Sequence, residues 1–436
     1  MKKRSHGDGG IDTRGDNVHR LRYRVGGKRF TKTFHGTQTE ARTELRRLLR
    51  SGDTGQHVAP DKITVANWID EWIIAGAPGR RREKVSQRTL ERYAQLLNSH
   101  VKPVIGHRRL QQLKAHQIDA LYSGMAEAET IAARTQHHVH VVLGACLGTA
   151  TRKGMLEANP MLRVEQIPSV KPVSVQSVDE ADEPNADDGQ DDIGEGLTEA
   201  ELAALINGFK SSNIYPIVAL AAATGARRNE LLALRWTDLD IDKKTLRIER
   251  AWEPTKKFGL RLKPPKTARG LRTVDLDDGT IAMLVRERET HQRLSAGIPD
   301  AATVDLSLIR LPASCLVFPN LPAEDATFTT PRIPQSVSQA FARRAESIKR
   351  DQVSPAADTG HAGHERNFGN VRFHDLRGIH STALLDAGIP VHTVAQRIGD
   401  DPATLLRNYT KRKRSNTANE KLSEAISGLV AGFLMP

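Results

Sequence analysis

The 436 residues include 64 Lys and Arg against 52 Asp and Glu, a formal net charge of +12, with 38% hydrophobic side chains. That is apolar enough to build ordinary cores in roughly two to four domains, and too apolar for a disordered chain. The positive excess points to a polyanionic partner, nucleic acid before any small acidic substrate, and the lack of an apolar run of about 18 residues speaks against a membrane span.

In chain order, residues 1–10 read as a basic tail that leads into polar sequence, so no signal peptide is expected. From Val18, VHRLRYRV alternates apolar with basic residues, Gly26 and Gly27 turn the chain, and KRFTKTF alternates again. This predicts a hairpin with one strongly basic face. Thr37 and Glu40 form a capping-box pattern that opens a helix with Ala41, Leu45, Leu48 and Leu49 on one side. The first domain is placed at residues 1–58.

A polar link leads to a helical unit over 62–169. Val65, Trp68, Ile69, Trp72 and Ile73 recur at helical spacing, and Ser86 caps a helix that turns Leu90, Tyr93, Leu97 and Val101 inward. Two further helices follow, the last ending by Gly154, with basic clusters at Arg80–Arg82 and His107–Arg109 that could equally be a solvated face. Cys146 and Cys315, the two cysteines, sit in apolar settings without zinc-ligand spacing and are expected to be buried thiols of a cytoplasmic protein.

Residues 170–196 hold few large apolar side chains and scattered Pro and Gly, with nine acidic and no basic residues between 179 and 195. That composition predicts a flexible acidic linker. The next domain, 197–415, opens on a second capping box, Thr198 with Glu201, and reaches TGARRNELLALRW at Thr224–Trp236. There a Thr-Gly turn precedes Arg227, and Glu230 lies three residues on, within reach to orient the guanidinium. LRIERAW and LRTVDL read as strands around a loop containing PPKTARG, and CLVFPN as a short apolar segment ending in a turn. The stretch to Asn370 is polar and rich in Gly and His, with partial disorder expected; His361 and His364 are not read as a metal pair.

The segment from His374 to Tyr409 concentrates the chemistry. His374 and Arg377, three residues apart, share a face if the segment is helical, so both can address one anion. Arg377 offers a fork that matches two phosphate oxygens, and His374 a further donor or a proton carrier. Gly399 is placed to close one helix, and Asp401 with Pro402 to open another that carries Tyr409. A phenol is a poor nucleophile near neutral pH unless cationic donors stabilise its phenolate, so these groups fit attack on a phosphodiester.

TGxRxxE, then HxxR, then a Gly turn and a Tyr, in that order over residues 224–409, resemble the tyrosine recombinases, the family that includes the phage integrases. The resemblance implies a multidomain, mainly α fold: a small β-hairpin and helix domain that binds arm-type DNA, an all-helical core-binding domain closing on Asn159-Pro160, and a mixed α+β catalytic domain. It implies a C-terminal tail helix, 416–436, that docks on a neighbouring protomer or on its own domain. Catalysis would rest on Arg227, Lys266, His374, Arg377 and Tyr409. Tyr409 would form a 3′-phosphotyrosyl link and release a 5′-hydroxyl, needing no cofactor, metal or ATP. Lys266 would protonate the leaving oxygen, with Lys263 and Arg269 as rivals for that role.

The implied partners are double-stranded attachment sites, three further protomers on two duplexes, an excisionase and a host DNA-bending protein. Alternatives are a topoisomerase that reseals the same strand and a catalytically silent DNA-binding regulator. Asp400 departs from the family pattern, since most relatives place His or Trp there as a phosphate donor. An ionised carboxylate cannot donate, so Asp400 either turns to cap the Tyr409 helix or brace an arginine, or impairs the site.

Overall fold

The computed structural model describes residues 9–53, 58–79, 84–128, 131–168, 197, 199–265, 268–321, 328–348 and 367–412, with backbone alone for 199, 268 and 408–412. The chain divides into two compact units, Met1–Asp188 and Gly189–Pro436.

The first unit begins with an antiparallel sheet in the order β1 (Gly10–Gly15), β2 (Val18–Val25), β3 (Lys28–His35). Gly26 and Gly27 both take left-handed φ, 55° and 78°, which is the mirror-image turn that suits strand twist, so the β2–β3 hairpin is as expected. β1 is a correction to a two-stranded reading. GIDTRG offers one apolar residue and no alternation, and its pairing with β2 is made by backbone groups that leave no mark in the side chains. Leu21 and Tyr23 are buried on one face against Ala41, Leu45 and Leu48 of α1 (Gln38–Asp53), while Arg22 and Arg24 are exposed on the other. The Thr37–Glu40 capping box closes as drawn: Thr37 N donates to Glu40 Oε2 at 2.8 Å, and Glu40 N to Thr37 Oγ1 at 3.4 Å.

Helices α2 (Val65–Ile74), α3 (Gln87–Leu96), α4 (Lys102–Ile105), α5 (Ala115–Glu127) and α6 (Ala133–Arg152) follow. Thr64 and Ser86 cap the first two through their hydroxyls, which accept from Asn67 N and Thr89 N. A π-helical turn, Leu97–Val101, joins α3 to α4. Trp68, Trp72, Leu97, Val101, Leu143 and Cys146 belong to one buried apolar cluster, and the Trp68 indole donates to the Cys146 carbonyl at 3.2 Å. Burial raises the Cys146 thiol far above its usual range and leaves it inert.

In the second unit, α7 (Glu199–Gly208), α8 (Tyr215–Thr224) and α9 (Arg228–Leu231) precede five strands. β4 (Leu239–Asp240), β5 (Thr245–Ile248) and β8 (Arg272–Asp275) form one antiparallel sheet in that order; β6 (Ala251–Thr255) and β7 (Gly259–Lys263) form a separate hairpin. LRIERAW therefore splits between two sheets instead of forming one strand. Then come α10 (Asp278–Ala296), α11 (Pro334–Ser347), α12 (Asp375–Asp386), α13 (Val391–Ile398) and α14 (Pro402–Arg412).

Helix α11 is a second correction, since it lies in the stretch read as polar and irregular. It buries Val337, Phe341 and Ala345 on one face, and Phe341 stacks on Phe209 with centroids 4.9 Å apart. The CLVFPN reading holds: Cys315, Leu316, Val317 and Phe318 are all buried. The linker at 170–196, Thr198, His361, His364 and the tail at 416–436 lie outside the described residues. No described helix is long and apolar enough to cross a membrane.

Candidate active site

The site is assembled where α8, α12 and α13 end or begin. Helix α8 stops at Gly225, whose φ of 63° is left-handed. Thr224 Oγ1 donates to Leu220 O at 2.6 Å and accepts from Ala226 N at 3.2 Å, so the hydroxyl stitches the turn shut. A Cβ on Gly225 would come within 2.7 Å of the His380 ring and 3.0 Å of Ile398, so only glycine lets α12 and α13 approach this closely. The buried Gly225 carbonyl then accepts from Arg377 Nη1 at 2.8 Å.

Arg227 emerges just past this turn. Glu230 accepts from its backbone N–H at 3.0 Å and from Nη1 at 3.2 Å, the orienting contact that the three-residue spacing suggests. Glu230 is itself buried and also receives Arg272 Nη2 at 2.8 Å. Burial alone would raise its carboxyl, but Arg272, Arg227 and Arg377 outweigh that and hold it below the usual carboxylate range.

Arg377 sits on the first turn of α12 with its side chain 6% exposed. Nη1 donates to both Gly225 O and Ile398 O at 2.8 Å. Nη2 lies 2.7 Å from Asp400 Oδ2, close enough for an ion pair but off the axis of a hydrogen bond, so a buried N–H is left unmatched among the described residues. Burial and the neighbouring Arg227 charge push this guanidinium down to about 10, which leaves it protonated at neutral pH. His374 stands at the N-cap position of α12, half-buried and one turn before Arg377.

Asp400 answers the question its presence raises. Oδ1 accepts from Arg227 Nη2 at 2.7 Å while Oδ2 faces Arg377 Nη2 at 2.7 Å, so one carboxylate bridges two arginines 150 residues apart in the chain. It braces them; the cap of α14 is Asp401, whose Oδ1 accepts from Ala403 N at 2.9 Å. Burial would raise the Asp400 carboxyl, and the charges of Arg377 and Arg227 more than reverse this. Gly399, with φ 72°, closes α13 as expected and lies against the Arg269 carbonyl and the Arg272 guanidinium.

Arg272, Arg397 and His380 complete the support and went unread in the sequence. Arg272 Nε donates to Arg397 O at 2.8 Å, tying β8 to the end of α13. The His380 ring, pushed down to about 4 by burial and by Arg397, is neutral. Its Nδ1 is 2.9 Å from Ala222 O, and its Nε2 accepts from Arg397 Nε at 3.2 Å. The only signal was position, with His380 and Arg397 each within one turn of a motif residue.

Of the two rivals to Lys266, Lys263 is held by the buried Glu253 at 2.9 Å and Arg269 is paired with Asp401. Trp252 docks this hairpin on the Arg227 region through an indole hydrogen bond to Leu232 O at 2.8 Å. Lys266 itself lies outside the described residues. Tyr409 falls on α14, seven residues past its first, and its side chain lies outside them as well. The structure thus brings Arg227 and Arg377 together, with His374 one turn before Arg377 and the tyrosine's helix beginning two residues after the bridging carboxylate.

The sequence model of the Phage integrase family matches residues 195–416, half of the chain. An integrase of Streptomyces ambofaciens is 29% identical over 310 residues, covering 68% of this chain and 72% of the relative. The fold resembles that of the Tn1549 transposon integrase in complex with transposon right end DNA, with a TM-score of 0.57 at 16% identity over 85% of this chain and all of that one. It also resembles lambda integrase as a tetramer bound to a Holliday junction, with a TM-score of 0.50 at 16% identity over 95% and 98% of the two chains. The motifs in their order, the arginines gathered at one carboxylate and the family match agree: the chain belongs to the phage integrase family, the tyrosine-type site-specific recombinases.

Proposed function

We propose that the chain cleaves and rejoins DNA at attachment sites through Tyr409, inserting or removing a mobile element. The phenolate attacks the scissile phosphorus, the P–O5′ bond breaks, and the 5′ oxygen leaves as a hydroxyl with a proton from Lys266. A 5′-hydroxyl from the partner duplex reverses the step, so bond energy is conserved. Arg227 and Arg377 stabilise charge on the two non-bridging oxygens, the largest electrostatic contribution in such a site. His374 adds a hydrogen bond or carries a proton at the same phosphate.

The observation that carries this reading is the Arg227–Asp400–Arg377 bridge. Two guanidiniums spaced by one carboxylate are spaced for one phosphate, each with a terminal nitrogen 2.7 Å from an Asp400 oxygen. The β1–β3 domain is assigned to arm-type DNA and the α2–α6 bundle to the core site. By analogy with the DNA complexes and the tetramer of the similar integrases, the working form is four protomers on two duplexes. An excisionase and a host DNA-bending protein are its expected accessories.

A duplex nicked just past the cleavage point traps the intermediate, because the short 5′ fragment diffuses away. The wild-type chain should accumulate a covalent adduct and Tyr409→Phe none, with DNA binding retained. Strand exchange between two labelled duplexes separates recombination from same-strand resealing. An adduct that survives Tyr409→Phe would remove the nucleophile assignment, and no adduct at all would favour the silent regulator.

A further inference from the structure

Asp400 does more than depart from a family pattern. Its carboxylate presents one oxygen to each arginine at 2.7 Å, the arrangement two non-bridging phosphate oxygens require. Two anions cannot share those donors, since like charges in contact repel strongly in a partly buried site. We propose that Asp400 is a positioning residue that occupies the scissile phosphate's seat in the DNA-free chain and yields it when DNA binds.

Three features make the carboxylate replaceable. Its side chain is 23% exposed, so the seat opens to solvent, whereas Arg377 behind it is almost fully enclosed. Its hold on Arg377 is an ion pair without an aligned hydrogen bond, leaving a donor that a phosphate oxygen can take. Its backbone is fixed, with Asp400 N donating to Ala395 O at 2.9 Å and Asp401 capping α14 next door, so the exchange needs only side-chain rotation. Glu230 and the two main-chain carbonyls keep Arg227 and Arg377 aimed while Asp400 is away. The empty site is thereby kept from collapsing or binding stray anions, and the phosphate that enters must outcompete an internal one.

This inference rests on the proposed phosphate clamp, and its test is separable from the test of that clamp. In the full chain carrying Tyr409→Phe, inorganic phosphate binding is measured by calorimetry with Asp400 intact, with Asp400→Asn and with Asp400→Ala. The seat account predicts that both replacements tighten phosphate binding by about tenfold or more, and that added phosphate raises their Tm further than it raises that of the Asp400 chain. Unchanged or weaker phosphate binding by the folded Asn variant overturns it, because a carboxylate that merely braces would lose the arginines' alignment when neutralised. A wild-type chain that forms the Tyr409 adduct while Asp400→Asn binds phosphate no better leaves the recombinase reading standing and removes this one.

Discussion

The helical bundle of the first unit and the arginine site of the second bury opposite kinds of residue. Around Trp68, Trp72 and Leu143 the interior is apolar, and Thr149 is the one polar side chain buried among the described residues of that bundle. The second unit buries Glu230, Asp238, Glu253, Arg272, His291, Asp375, Arg377 and His380. The carboxylates and guanidiniums among them each cost several kcal/mol to desolvate unless matched, so the second unit gives up stability to hold charged groups in place. The bundle gains most of its stability from buried apolar area, and its shape tolerates substitution as long as the pattern survives.

The sharpest way to break this contrast is to unpair a buried ion. Glu230→Gln leaves Arg272, whose side chain is 3% exposed, without its counter-ion and Arg227 without its guide. It should cost about 3–5 kcal/mol in denaturant unfolding of the second unit and abolish adduct formation. A loss below about 1 kcal/mol would show that water or rearrangement replaces the carboxylate, and that the network is less closed than drawn.

Acid gives the next largest effect. His380 and His291 are each pushed down to about 4, His380 by burial and Arg397, His291 by burial that the adjoining Arg332 charge reinforces. Both are neutral in the fold and their pKa values lie below the unfolded value of about 6.5. Their stabilising contribution is therefore complete above that value and drains away as pH falls from about 6.5 toward 4. For His380 this amounts to at most about 3 kcal/mol. Urea unfolding at pH 7 and at pH 4.5 should show the loss in the second unit, and His380→Gln should flatten it; an equal slope in the variant would mean that the imidazole titrates freely.

The smallest effect belongs to the bundle. Ser86→Ala removes the hydroxyl that accepts from Thr89 N at 3.3 Å and should cost about 1 kcal/mol, with cleavage unchanged. A cleavage defect larger than the stability loss would mean that the bundle contributes more than DNA grip to the chemistry.

The same division explains what could be read from the chain alone. Helix starts at Thr37 and Ser86, the turn at Gly26-Gly27 and the inward faces of α1, α2 and α3 follow from contacts within a few residues, and all are found. In the second unit the Arg227–Glu230 contact, the Gly399 stop and the Asp401 cap are equally local. Strand β1 escaped because it pairs with the adjacent β2 through backbone groups that leave no side-chain pattern, and helix α11 because it packs on Phe209 and Phe373, far from it in the chain. Arg272 and Arg397 look like any surface arginine until the fold brings Glu230 or His380 to them. Asp400 was legible as an anomaly; its meaning depended on two guanidiniums 173 and 23 residues away.

The central claim is that Arg227 and Arg377 neutralise one phosphate, and the direct measurement is cleavage of a duplex whose scissile phosphate is replaced by an uncharged methylphosphonate. On ordinary DNA, Arg227→Ala and Arg377→Ala should each slow adduct formation by about 10²–10³. On the methylphosphonate duplex that penalty should largely vanish for both variants, because the charge they balance is gone. Equal penalties on the two substrates would contradict the account and assign the arginines to the architecture of the unit instead of to the reacting phosphate.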